Sequence, residues 1–329
     1  MTKTLTMSAL YRKLSQIGLK QSYVRENGLP SWWDDELNDK PVAVLEGAGY
    51  IAKNLNLDLS SLLTPEEDLK FNTFPNTKFK QHNSQNKEHP HLAQALASRV
   101  AELISLGVDL ECTALPNNPQ TIREDILSHY PTVNLTSLLD YCWGKGIAVG
   151  YFHHFPREAK KFAGLIQWHS TCPVIILSSK SKYSARLAFD LAHELGHLAL
   201  EHLNDGVLVD ENIKSSDNDE EESKANQFAT ELLLGDCDNC FGDKEFYRND
   251  HLIKHAKLKA QENPTVDVTS IILNNAWHNN NWGLANNALK KLEPIPNGDK
   301  IINEYLANQL DWDKFNDETY EYLEKVLGV

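Results

Sequence analysis

The pentapeptide His193-Glu194-Leu195-Gly196-His197 holds the residue types and spacing most able to do chemistry in this chain. On an α-helix, positions i and i+4 differ by about 40° of rotation and one turn of rise, so both imidazoles leave the same face. Two corners of a Zn²⁺ tetrahedron can be filled that way. Glu194 then points beside the open corner, where a carboxylate can take a proton from water. Leu187, Phe189, Leu191, Ala192, Leu195, Leu198 and Leu200 surround the motif on almost every side. A helix so apolar must be buried, and buried imidazoles and carboxylates need partners. Without a metal, the same residues read as two hydrogen-bonded core histidines with Glu194 on a rim.

A catalytic zinc needs a third protein ligand and one open position. The metzincin continuation fails, because Leu200 and Leu203 stand where its Gly and His belong. The ligand is therefore expected from a following helix. Residues Glu220–Leu234 supply one, with Ala225, Phe228, Ala229, Leu232 and Leu233 as its buried stripe. One turn toward the N-terminus, Glu221 and Glu222 each fall within about 60° of the stripe's centre, and helical geometry alone does not choose between them. Glu201 is a weaker candidate, since it leaves the same helix as the histidines and would crowd them. The other acids of this run read as solvated groups that complement the helix dipole.

The elements that must carry these residues are legible in outline. Gly146–Phe152, Gly164–His169 and Pro173–Ser178 are short β-branched and aromatic runs that read as strands. Ser184–His202 reads as a buried helix, followed by a loop of about fifteen residues (NDGVLVDENIKSSDN) before the Glu220–Leu234 helix. Upstream, Val42–Leu63 is apolar-periodic, 72–90 is polar and reads as a linker, and His91–Leu106 has helical spacing. Downstream, helical patches appear near Leu252–Gln261, Val266–Trp277 and Ile301–Leu327.

Composition sets the frame: 329 residues, 41% apolar and 24% charged, which is globular. No apolar run approaches the roughly 18 residues of a membrane span, and the N-terminal residues lack the apolar core of a secretory signal. The five scattered cysteines suit a reducing compartment, with Cys112, Cys142 and Cys172 as small buried hydrophobes, so a cytoplasmic location is expected. A net charge of −14 opposes attraction to phosphate backbones. The first 25 residues carry five bases and no acid, which reads as the solvated face of a helix whose apolar side is Leu10, Leu14 and Ile17.

The segment PVIILSSKSKYSARLAFDLAHELGHLALEH, followed by ESKANQFATELLLG, resembles the ImmA/IrrE family of bacterial metallopeptidases. The matching positions are Arg186, Phe189 and Ala192 to His197, then Glu222, Ala225, Asn226, Phe228 and Ala229. With Val133–Val149 included, the resemblance covers roughly residues 120–240. It implies an α+β, zincin-like core in which a small sheet packs on the HExxH helix. It also implies that Glu222, rather than Glu221, joins His193 and His197 around one catalytic Zn²⁺, with Glu194 as general base. The expected organisation is a helical region at 1–71, the linker at 72–90, the metallopeptidase domain at 91–240 and a helical region at 241–329. Asp190, Ala188 and Leu234-Gly235 depart from the family pattern around the metal set, which bears on substrate preference. Asp190 reads either as a carboxylate orienting His193 or as an ordinary exposed acid.

The activity implied is limited cleavage of a protein substrate, in known cases a helix-turn-helix repressor, as a stress or mobile-element switch that regulates transcription. The strand Gly164–His169 is expected at a sheet edge, where it could align substrate by strand addition. Residues 50–63 resemble the last helix of small helix-turn-helix domains. Yet residues 1–90 hold eleven basic and eleven acidic side chains, which is no footprint for DNA, so neither DNA nor membrane is an expected partner. Cys237 and Cys240 have zinc-like spacing but lack a second pair, and His153, His154 and His169 receive no role. The alternative is a regulatory binding module, antitoxin-like or acting in phage defence, whose metal site is structural or vestigial.

Overall fold

A computed structural model describes residues 5–72, 77–80, 90–159, 162–203, 205–210, 219–242 and 244–329. Five strands run at β1 (Thr77–Lys80), β2 (Ala148–Tyr151), β3 (Gly164–His169), β4 (Cys172–Leu177) and β5 (Val207–Asp210). The N-terminal half adds helices α1 (Met7–Gln16), α2 (Gln21–Asn27), α3 (Pro41–Asn54), α4 (Leu59–Leu63), α5 (Pro90–Leu106), α6 (Pro119–Leu127) and α7 (Leu135–Gly144). After the central strands come α8 (Ser184–Ala199) and α9 (Glu220–Leu234), and then α10 (Asn249–Glu262) and α11 (Val268–Asn279). The chain continues through α12 (Trp282–Leu292), α13 (Gly298–Gln309) and α14 (Asp317–Leu327).

The strands form one mixed sheet in the order β1-β5-β3-β4-β2. β3 is antiparallel to both β4 and β5, while β1 is parallel to β5 and β2 to β4. Because side chains alternate along a strand, each face collects its own core. Leu165, Val174, Ile176, Val207 and Val209 pack toward α5 and the terminal helices. Ile166, Ile175, Leu177 and Leu208 pack toward α7 and α8. A strand such as β4, buried along its whole length, reads as an unbroken apolar run for this reason. The architecture is α+β, a small sheet against the HExxH helix with helices before and after it, as expected.

α8 lies between the sheet and α9, and its approach to α9 is close because of one residue. A Cβ on Gly196 would stand 3.1 Å from Phe228 Cδ1 and 3.3 Å from Ala225 Cα. The glycine in the motif therefore lets the second helix settle onto the first. On the other face of the sheet, Leu14, Val44 and Ile51 share a core with Leu96 and Val100 of α5 and with Leu323 and Val326 of α14. Tyr322 Oη donates to Asn54 O (2.9 Å) and Lys53 Nζ to Thr319 Oγ1 (2.7 Å), tying the two ends of the chain together.

Several readings need correction. Thr77–Lys80, inside the segment read as a linker, forms strand β1; residues 73–76 and 81–89 lie outside the described residues. The loop expected after α8 contains β5, and β5 pairs with β3 along Gly164–Gln167. β3 is therefore an interior strand, bonded on both sides, and does not offer an edge for a substrate strand. At one true edge, Asn303 of α13 covers β2: its Oδ1 accepts from Tyr151 N (2.8 Å) and its Nδ2 donates to Tyr151 O (2.9 Å). The stretch Ile301–Leu327 is two helices rather than one. Among the described residues no helix is long and apolar enough to cross a membrane. All five cysteines are free.

Candidate metal centre

His193 and His197 sit on the inward face of α8, fully buried, one turn apart. Each ring has a partner on its outer nitrogen. His193 Nδ1 donates to Asn226 Oδ1 of α9 (3.1 Å), and His197 Nδ1 lies 2.9 Å from His202 Nδ1. Such contacts fix ring orientation and turn both Nε2 atoms inward. The two Nε2 atoms are 3.1 Å apart.

Glu222 arrives from the first turn of α9. Asp219 caps that helix, its side chain accepting from the backbone N–H groups of Glu221 and Glu222, which anchors the turn. Glu222 is buried and Glu221 is not. The Glu222 oxygens stand 3.5 Å from His193 Nε2 and 3.4 Å from His197 Nε2. The structure thus brings together the three residues expected to form the metal set. Glu201, by contrast, is exposed in a left-handed conformation (φ 56°) past the end of α8.

Glu194 is wholly buried against the start of β3, in space that exists because residue 164 is glycine. A Cβ there would fall 1.8 Å from Glu194 Oε1. Among the described residues neither Glu194 oxygen has a hydrogen-bond partner. Burial pushes its carboxyl well above the usual range, and the nearby Asp210 charge adds to the shift. Glu194 is thus a buried carboxyl group without a hydrogen-bond partner among the described residues, close to the two imidazoles.

Sequence reasoning missed Asp210. It ends β5, where alternation places it on the same face as Leu208, toward α8. The register sets it opposite Gly164, and Ala163 N donates to its backbone O (2.7 Å). Its Oδ2 is 3.2 Å from both His193 Nε2 and His197 Nε2. Val207-Leu208-Val209-Asp210 is an alternating strand pattern, and that was the available signal.

Burial alone would lower the two imidazole pKa values. Hydrogen bonds that the rings donate to the Asp210 and Glu222 carboxylates outweigh it, and both are raised to about 9. For Asp210 and Glu222, burial pushes upward, but the two imidazoles hold both carboxyls below their ordinary range.

These donors fit a divalent cation. One ligand atom from each of His193, His197, Asp210 and Glu222 lies within 4.8 Å of the others. A tetrahedron with bonds of about 2.0–2.1 Å has edges of about 3.3–3.4 Å. The separations of imidazole from imidazole and carboxylate run from 3.1 to 3.5 Å. With neutral imidazoles, the two carboxylates supply the charge that balances a divalent ion.

Other candidates lie elsewhere. Asp190 is neither exposed nor bonded to His193: it is buried, and Arg186 Nε lies 3.1 Å from its Oδ1. The Arg186 guanidinium also stacks over Phe189 and Trp282. Cys237 and Cys240 are not part of the four-residue cluster, and burial raises the Cys240 thiol. His169 ends β3 at the far side from Gly164.

Taken together, a zincin-like α+β core carries an HExxH helix, an acid from the next long helix and a carboxylate poised beside them. Residues 149–239 match the family model of the IrrE N-terminal-like domain of the M78 peptidases, a span that holds all five of these site residues. Over that span the chain is similar to the ImmA/IrrE-type metallopeptidases. Residues 1–148 and 240–329 lie outside the match. No curated protein shows significant similarity to the chain.

Proposed function

We propose that the protein is a zinc-dependent endopeptidase that makes limited cuts in a protein substrate, with a DNA-binding repressor as the substrate class the family resemblance favours. The observation that carries this reading is the unpartnered Glu194 carboxylate, buried beside the convergent Nε2 atoms of His193 and His197 and the oxygens of Glu222. His193, His197 and Glu222 would hold the zinc. When bound, the ion supplies Lewis-acid polarisation of the scissile carbonyl and acidifies a water. Glu194 takes the proton from that water and delivers it to the leaving amine. Asn226 and His202 keep the rings turned inward throughout.

The test is Glu194→Gln, which keeps shape and removes the base. Comparative proteomics of cells with wild-type and variant protein should find one cleavage product made only by the wild type, at unchanged metal content. The Asp210 carboxylate favours a second reading, because four protein ligands are the mark of a structural site. Full biological function in Glu194→Gln would establish that binding module and refute the peptidase.

A further inference from the structure

The fourth corner of the cluster is where a hydrolytic water belongs, and a side chain stands in it. Asp210 Oδ2 lies 3.2 Å from each Nε2, closer than either Glu222 oxygen at 3.4 and 3.5 Å. By distance it is at least as well placed a ligand as the acid the family resemblance implies. The centre is also sealed. His193, Glu194 and His197 are 0% exposed and Asp210 1%, with Glu222 at 6% the most open of the five. A peptide carbonyl cannot reach Glu194 in this arrangement.

We propose that Asp210 is a fourth metal ligand that closes the centre in a latent state, filling the water's corner until it withdraws. The inference rests on the metallopeptidase reading. Charge supports it: with neutral imidazoles, Asp210 and Glu222 together neutralise a divalent ion, which lowers the cost of burying that ion in a desolvated site. Position supports it as well. Asp210 is the last residue of β5, paired with Gly164 of β3 on one side and Lys80 of β1 on the other, so the carboxylate hangs from the terminal pairs of both ladders. Terminal pairs open at lower free energy than interior ones. Freeing Asp210 from both terminal pairs would withdraw the carboxylate while Val207–Val209 stay paired and buried. Leu208 and Val209 hold the strand from either face, so the aspartate can leave without dismantling the sheet. Withdrawal opens one corner and leaves Glu194 beside it. Regulation of the peptidase would then act on one carboxylate, through whatever partner or substrate draws the end of β5 aside.

The experiment uses full-length protein loaded with Co²⁺, whose visible absorption reports coordination, and azide as an exogenous ligand. Wild-type protein should bind one Co²⁺ and show a spectrum that azide does not change. Asp210→Ala and the near-isosteric Asp210→Asn should still bind Co²⁺, at least about tenfold more weakly in the alanine variant, and their spectra should shift on adding azide. Circular dichroism confirms that the sheet is retained, and the asparagine variant carries the test if the alanine variant misfolds. A wild-type spectrum that responds to azide as the variants do overturns the inference and leaves the metallopeptidase reading standing. So does a variant that binds Co²⁺ with wild-type affinity and ignores azide. Failure of wild type and variants alike to bind Co²⁺ at His193 and His197 overturns both.

Discussion

Replacing Gly164 by alanine should disable the base while sparing the metal ligands. Gly164 does not lie in the left-handed region, so alanine meets no backbone strain; the obstacle is space alone. The new Cβ would stand 1.8 Å from Glu194 Oε1, 2.4 Å from Cδ and 2.9 Å from Cγ. Non-bonded carbon and oxygen settle near 3.5 Å, so the carboxylate must retreat by about 1.5 Å or more within a closed core. A 1 Å misplacement costs about 10²-fold in rate, and complete loss of a general base about 10²–10⁴-fold. The variant should therefore lose about 10²–10⁴ in turnover, equivalent to about 3–5 kcal/mol of transition-state stabilisation. Metal content should stay at the wild-type level, because the three atoms nearest the new Cβ all belong to Glu194 rather than to the imidazoles or Glu222. The assay follows the Glu194-dependent cleavage product over time and measures bound metal by elemental mass spectrometry. Product formation within a few-fold of wild type would refute the placement of Glu194, and loss of metal along with product would refute the separation of base from ligands.

Other consequences follow from the same geometry. A cation must displace protons from His193 and His197, whose pKa values stand at about 9, so affinity should climb with pH by up to about 100-fold per unit below that value. In chelated protein the sign is opposite: the raised imidazole pKa values stabilise the fold below about pH 6.5, and that contribution is lost as pH rises through about 9. The increase in Tm on adding zinc should then grow from pH 6 to 9, and a constant or shrinking increase would contradict the account. Gly196→Ala places a Cβ 3.1 Å from Phe228 and 3.3 Å from the Ala225 backbone, which should push α9 and Glu222 outward and lower metal affinity about tenfold. Helix propensity favours the alanine by about 1 kcal/mol, so urea unfolding should show little change; unaltered affinity by competition with a chelator would refute the close-packing argument. Asn303→Ala strips the β2 edge of both side-chain partners and frees Leu327 O, and should cost about 1–3 kcal/mol in urea unfolding. A change below about 0.5 kcal/mol would show that the edge is satisfied without it.

Local pattern carried the helices and the residues on them. His193, Glu194 and His197 were readable because i,i+4 spacing in an apolar helix admits few other meanings, and the bounds of α9 follow from its acidic first turn and buried stripe. Choosing Glu222 over Glu221 needed the family resemblance, since both fall near the stripe; the structure separates them by burial. Asp210 was hidden for a different reason. Its strand has four residues within a polar stretch, and its importance comes from pairing with Gly164, forty-six positions away. Such pairing is non-local and leaves only the brief alternation of Val207 to Asp210 in the sequence. The misplacement of β3 at an edge has the same origin, because a strand's position depends on neighbours it does not adjoin in the chain. Asp190 shows the limit on one helix: spacing put it near His193, but only tertiary packing buried it and turned it toward Arg186.

The central claim is tested most directly by anomalous diffraction at the zinc absorption edge from crystals grown with the metal. The account predicts a single strong peak within about 2.0–2.2 Å of His193 Nε2, His197 Nε2 and a Glu222 oxygen, with the Glu194 carboxylate beside it and outside bonding distance. A pocket without a peak at saturating zinc, or a peak outside bonding distance of His193, His197 and Glu222, would contradict it.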